Sequence, residues 1–141
     1  MEFWTPPSGP PQGSPPSKEI YALMGEEPIF AMCRDFYERL AASSIGHMFP
    51  ADQGEASEKI ACFLVGLFGG PPLFHQRYGS PQMRARHLPF VIDQAARREW
   101  LRCFEATLEN AEDRFGFPSA HLPRFRGFLS EFSAWMVNRE G

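Results

Sequence analysis

The sequence predicts a single all-α domain, and three observations carry that reading. Apolar residues recur at three- and four-residue intervals along four long stretches. Each stretch is bounded by residues that start or stop helices, and none alternates with the two-residue rhythm of a strand. The chain has 141 residues, 43% of them hydrophobic, which suits one domain with a packed core.

Residues 1–16 hold six prolines separated by Ser, Gly and Gln, so they cannot keep a helical ladder and have little to bury. They read as a flexible Pro-rich tail, and 17–141 as the folded domain. A short turn is expected at 18–24. Glu26 and Glu27 before Pro28 suit the opening turn of a helix, and Phe30, Cys33, Tyr37 and Leu40 continue it over 28–42. Asp52 and Glu55 form a capping box for a helix over 54–68, with Ala56, Ile60, Phe63, Leu64 and Leu67 as its inner face. The run Gly69-Gly70-Pro71-Pro72 stops it. The stretch 69–89 then reads as a long irregular loop, relieved only by a turn at 83–88. Its Leu73, Phe74, Tyr78, Met83 and Leu88, with Phe90 just beyond, are too apolar for disorder, so the loop is expected to hold something. Asp93 is a natural N-cap for one helix over 93–115, with Ala96, Trp100, Phe104, Leu108, Ala111 and Phe115 along one face. Gly116 and Pro118 end it. Ser119 is expected to cap a last helix over 120–138, carrying Leu122, Phe125, Leu129, Phe132 and Met136.

Charge and motif content exclude several functions. Fourteen Lys and Arg against seventeen Asp and Glu give a net charge of −3, which supplies no general field for nucleic acid. No apolar run is long enough to span a membrane. Cys33, Cys62 and Cys103 form no CxxC pair and read as reduced, buried thiols of a cytoplasmic protein. The four histidines make no zinc-binding cluster, and phosphate-loop and nucleophile-elbow motifs are absent.

One position stands out. His87 lies just before Pro89, which forces the chain out of helical geometry. From 77 to 98, Arg77, Arg84, Arg86, Arg97 and Arg98 face a single acid, Asp93, for a local charge of +4. With many phenylalanines on helices, this permits a flat apolar ligand with anionic edges, and heme is one such ligand. The plainer alternative also stands at this level: His87 closes a helix end and the arginines coat a solvated face.

The run Phe68-Gly69-Gly70-Pro71-Pro72, followed by Arg77-Tyr78-Gly79-Ser80-Pro81-Gln82-Met83-Arg84-Ala85-Arg86-His87-Leu88-Pro89-Phe90, strongly resembles the second group of truncated hemoglobins. Phe36-Tyr37 upstream and Glu99-Trp100-Leu101 downstream match in order, and the likeness covers roughly 19–137. It implies a two-over-two helical sandwich around non-covalent heme b, with His87 as the iron ligand. It places Tyr37 and Trp100 as donors to a bound ligand and Phe49, Ile60, Phe63, Leu64 and Phe90 as cofactor contacts. Ala56 takes the place where many globins carry a distal histidine, and Arg84 and Arg86 become candidates for propionate pairing. Phe68 stands where tryptophan is common, Phe74 where tyrosine is, and Ser80 where the loop has histidine.

The resemblance implies high-affinity oxygen binding, with carbon monoxide and nitric oxide as further ligands. Conversion of nitric oxide to nitrate, or reduction of peroxide, would need an external reductase. A heme-based gas sensor or interaction module is the other implied class. No nucleic-acid or membrane partner is expected, and the state is a monomer or homodimer.

Overall fold

The computed structural model describes residues 4–49 and 52–140. Met1 to Phe3 of the expected tail, Pro50, Ala51 and the last residue of the expected domain lie outside them. Eight α-helices occur among the described residues: α1 (Ile20–Met24), α2 (Glu26–Ala41), α3 (Gln53–Leu67), α4 (Leu73–Tyr78), α5 (Met83–His87), α6 (Gln94–Leu108), α7 (Ala111–Phe115) and α8 (Leu122–Met136). These residues contain no strand, and none of their helices is long and apolar enough to cross a membrane. Helix α2 packs on α3 and α6, and α6 packs on α8, so the four long helices form the sandwich.

Local chemistry sets the ends of these helices. The Glu55 amide donates to Asp52 Oδ1 at 3.3 Å, and the Ala96 amide to Asp93 Oδ1 at 2.8 Å, so both aspartates act as N-caps, while the Glu55 carboxylate pairs with Lys59 instead of completing a capping box. Three expectations change. Helix α4 stands inside the stretch read as irregular, because Pro72 occupies its N-cap, where a missing N–H costs nothing. The single helix over 93–115 is two, since Glu109 is extended (ψ 123°) and Asn110 left-handed (φ 57°). Asparagine tolerates that conformation, so a continuous apolar face concealed the break. Ser119 makes no side-chain cap and opens a 3₁₀ turn before α8, which has proline in its first turn.

The core runs along Ile29, Met32, Phe36 and Leu40 of α2, Leu64 and Val65 of α3, Phe104 and Leu108 of α6, and Phe125 of α8. Phe104 meets Phe36 at 4.1 Å and Phe125 at 5.7 Å between ring centroids, joining the layers. Cys33, Cys62 and Cys103 are free and buried. Burial pushes all three thiols above the ordinary cysteine range. The described part of the N-terminal segment lies against the domain. Pro6 and Pro16 are buried, the Gly13 amide donates to Glu131 Oε2 of α8 at 3.0 Å, and Trp4 O accepts from Arg84 at 2.9 Å. Proline rings give this segment compact apolar surface to seat despite its lack of helix.

The Gly69-Gly70 pair does more than stop α3. The Tyr21 amide donates to Phe68 O at 3.0 Å, bringing α1 against the turn. Gly69 has φ +94°, and a Cβ there would lie 2.0 Å from Lys18 O. Gly69→Ala therefore combines backbone strain with a main-chain clash, and should lower unfolding free energy by about 3 kcal/mol in urea titrations.

Asp35 ties α2 to the broken helix. Its carboxylate accepts from Arg39 at 2.8 Å, from Thr107 Oγ1 at 2.8 Å and from Arg114 at 2.5 Å. Burial works against the charge, but the hydrogen bonds from Arg39 and Thr107 and the charges of Arg39 and Arg114 hold its pKa below the usual carboxylate value. A depressed folded-state value stabilises the fold above the unfolded pKa of about 3.9 and loses that contribution as pH falls below it. Asp35→Asn should cost about 1 kcal/mol near neutrality and flatten the loss of melting temperature below about pH 4.

Candidate cofactor site

Each long helix carries a second apolar strip that its neighbours leave half-covered. On α2 the buried line is Ile29, Met32, Cys33, Phe36 and Leu40, with Tyr37 half-buried at its margin. On α3 the buried residues are Ser57, Ala61, Cys62, Leu64 and Val65. The face predicted as inner, Ala56, Ile60, Phe63 and Leu67, is only half-buried. Trp100 of α6 and Phe128 and Phe132 of α8 behave the same way. Apolar residues at helical spacing normally find cover, so a strip half-open on four helices marks a cleft.

Ring contacts join these strips. Phe49 meets Tyr37 edge-on at 5.7 Å, Tyr37 meets Phe36 at 5.5 Å, and Phe36 meets Trp100 at 5.3 Å. Trp100 reaches Phe132 at 6.3 Å, and Phe132 reaches Phe63 at 5.8 Å. Tyr37 Oη and Trp100 Nε1 make no hydrogen bond to described residues, yet no buried side-chain nitrogen or oxygen among those residues is unpaired. Both polar tips are therefore not sealed within the protein core. Burial pushes the Tyr37 hydroxyl well above the usual tyrosine range, keeping it a neutral donor.

His87 ends α5, one turn from Met83, whose carbonyl accepts from His87 Nδ1 at 2.6 Å. That bond fixes the tautomer and leaves Nε2 as the free coordinating nitrogen, the usual arrangement of a metal-ligating imidazole. Burial lowers the His87 pKa, opposed by the Met83 hydrogen bond, and the neutral ring is the form that binds metal. The donor set thus fits an iron porphyrin: one ready imidazole, an aromatic cleft and two uncommitted donors.

The other sequence-predicted residues divide. Leu64, 1% exposed, belongs to the protein core, whereas Ala56, Ile60 and Phe63 face the half-open strip. Phe90 is 46% exposed and lies 6.4 Å from the His87 ring. Arg84 and Arg86 are not brought to a common anion site. Arg86 donates to Tyr78 O at 2.9 Å, Ser80 O at 2.8 Å and Pro81 O at 2.7 Å, closing the α4–α5 turn. Arg84 donates to Trp135 O, to Val137 O at 2.9 Å and to Trp4 O at 2.9 Å.

Asn138 is the residue that sequence reasoning missed. Fully buried beyond α8, it donates from Nδ2 to Phe90 O at 2.9 Å and His87 O at 3.3 Å, and accepts the Ile92 amide at 3.1 Å. A polar residue after a helix end reads as surface, and only the fold reveals that it holds the chain leaving His87. Asn138→Ala strands these buried groups and should cost about 2 kcal/mol in urea unfolding. Amide exchange at Ile92 should accelerate in the same variant.

A family model described as bacterial-like globin matches residues 19–129. The group 2 truncated hemoglobin YjbI of Bacillus subtilis is 37% identical over 120 residues, 84% of this chain and 88% of that protein. The structure of phosphate-bound Hell's gate globin IV is similar with a TM-score of 0.83 and 34% identity, covering 93% of this chain and 81% of the other. The truncated oxygen-avid haemoglobin from Bacillus subtilis gives a TM-score of 0.76 at 34% identity, covering 84% of this chain and 98% of that one. Together with the sandwich of four long helices, these likenesses establish that the chain belongs to the group 2 truncated, or two-over-two, hemoglobin family.

Proposed function

We propose that the cleft holds one non-covalent heme b, with His87 Nε2 as its protein ligand, and that the protein binds oxygen with high affinity. The observation that carries this reading is the apolar strip left half-covered on four helices, with a tautomer-fixed histidine held at the α8 end of the same fold. The names of the relatives support it, one of them being an oxygen-avid haemoglobin. Heme supplies an iron with one position open to a diatomic ligand.

The chain's own contribution lies in the walls and donors. Phe49, Ile60 and Phe63 would line the group and exclude water, which strengthens any hydrogen bond made inside, and Phe90 would add apolar contact beside His87. Ala56 leaves room and offers no acid or base. Tyr37 Oη and Trp100 Nε1 donate toward a ligand that gains negative charge, favouring oxygen over carbon monoxide. Slow release suits chemistry on the ligand better than transport. Oxygen-dependent conversion of nitric oxide to nitrate, with electrons from an external reductase, fits this pocket. Peroxide reduction fits less well, because Ala56 supplies no proton-transfer group.

The reading is tested by spectra and ligand exchange. The purified chain should show a Soret band in ferric, ferrous and carbonyl forms, and His87→Ala should lose stable heme. Tyr37→Phe and Trp100→Phe should each speed oxygen release about tenfold, the effect of losing a hydrogen bond to a charged acceptor, with a smaller change for carbon monoxide. Parental oxygen release in both variants would remove these residues as donors.

A further inference from the structure

Helix α5 has five residues, no side-chain N-cap bond, and a left-handed Gln82 (φ 37°) before it. So short a helix has little stability of its own, and its direction must be imposed from outside. Arg84, three residues before His87, makes the widest set of contacts that could impose it. Its Nη1 donates to Trp135 O and to Val137 O at 2.9 Å, at the end of α8 where carbonyls lack helical partners. Its Nη2 donates to Trp4 O at 2.9 Å, and its guanidinium lies 4.5 Å from the centre of the Trp135 ring. One side chain therefore joins α5, the end of α8 and the N-terminal segment. Arg86, by contrast, reaches carbonyls from Tyr78 to Pro81 and lies 5.1 Å from the centre of the Phe74 ring, so its contacts stay on α4 and the turn after it.

We infer that Arg84 is a positioning residue for His87, with the N-terminal segment as the outer part of its seat. Pairing with a heme propionate would require Arg84 to leave the carbonyls of three residues and the Trp135 face together. The N-terminal segment is itself fixed at both ends of its described course, by Gly13 on Glu131 and by burial of Pro6 and Pro16. It thus couples to the orientation of α5 through Arg84. The inference rests on the reading of His87 as the heme ligand.

The two roles of Arg84 separate in a lysine variant. Lysine keeps the charge an anion needs, but as a point donor it cannot reproduce a planar fork spread over several carbonyls. The heme-loaded full-length protein is compared with its Arg84→Lys, Arg84→Ala and Trp4→Gly variants. The iron–histidine stretching band of the ferrous form is read by resonance Raman, and heme loss by transfer to excess apomyoglobin. Both Arg84 variants should shift or broaden the band and release heme about tenfold faster, the equivalent of about 1.4 kcal/mol. Trp4→Gly keeps the carbonyl that accepts from Arg84 but loosens the segment that presents it, so it should move the band in the same direction by less, and it keeps the test decisive if Arg84→Ala fails to fold. Restoration of the parental band and heme retention by Arg84→Lys would overturn the inference in favour of charge pairing. An unchanged band in Arg84→Lys and Trp4→Gly would overturn it as well. A parent lacking any iron–histidine band would instead refute the heme reading beneath it.

Discussion

Each of the four long helices carries apolar surface on two faces, and there is protein enough to cover only one. The first face is met by the close packing of Phe36, Phe104 and Phe125. The second remains as the half-buried strip of Tyr37, Ile60, Phe63, Trp100 and Phe132. A stable domain of this composition requires the first face to be packed densely enough to tolerate the second. The aromatic excess has this physical purpose: large rings bridge the layers while their edges form the wall of the cleft.

The histidine side obeys a different rule. There the chain is irregular, and order comes from polar groups that reach across long stretches of sequence. Asn138 and Arg84 carry hydrogen bonds between residues some fifty positions apart. Arg97 adds a third link, from α6 to the Ser130 carbonyl at 3.0 Å and Ser133 Oγ at 3.1 Å. The end of α8 is thus the frame on which α5 and the loop beyond it hang.

The four long helices were legible through apolar periodicity, reinforced at α3 and α6 by readable N-caps at Asp52 and Asp93. His87 stood out because Pro89 and the surrounding motif isolate it. What escaped was long-range or concealed by continuity. The apolar set through Ala111 and Phe115 suggested one helix, since nothing in hydropathy reveals a left-handed Asn110. Helix α4 was hidden by prolines that flank it without interrupting it. Asn138 and the carbonyl partners of Arg84 depend on tertiary proximity that no local pattern encodes. The direction of the α3 face was also ambiguous: periodicity identified Ile60 and Phe63 as apolar, but could not tell core from cleft.

The buried cysteines have a chemical consequence for a globin proposed to host an oxidising ligand. Thiolates, rather than thiols, react with peroxides and with disulfides. Cys33, Cys62 and Cys103 sit where desolvation disfavours the anion, and Cys33 is wholly enclosed. Their sulfurs contribute to packing while remaining protonated at neutral pH. The fold thereby withholds its own sulfur from oxidation.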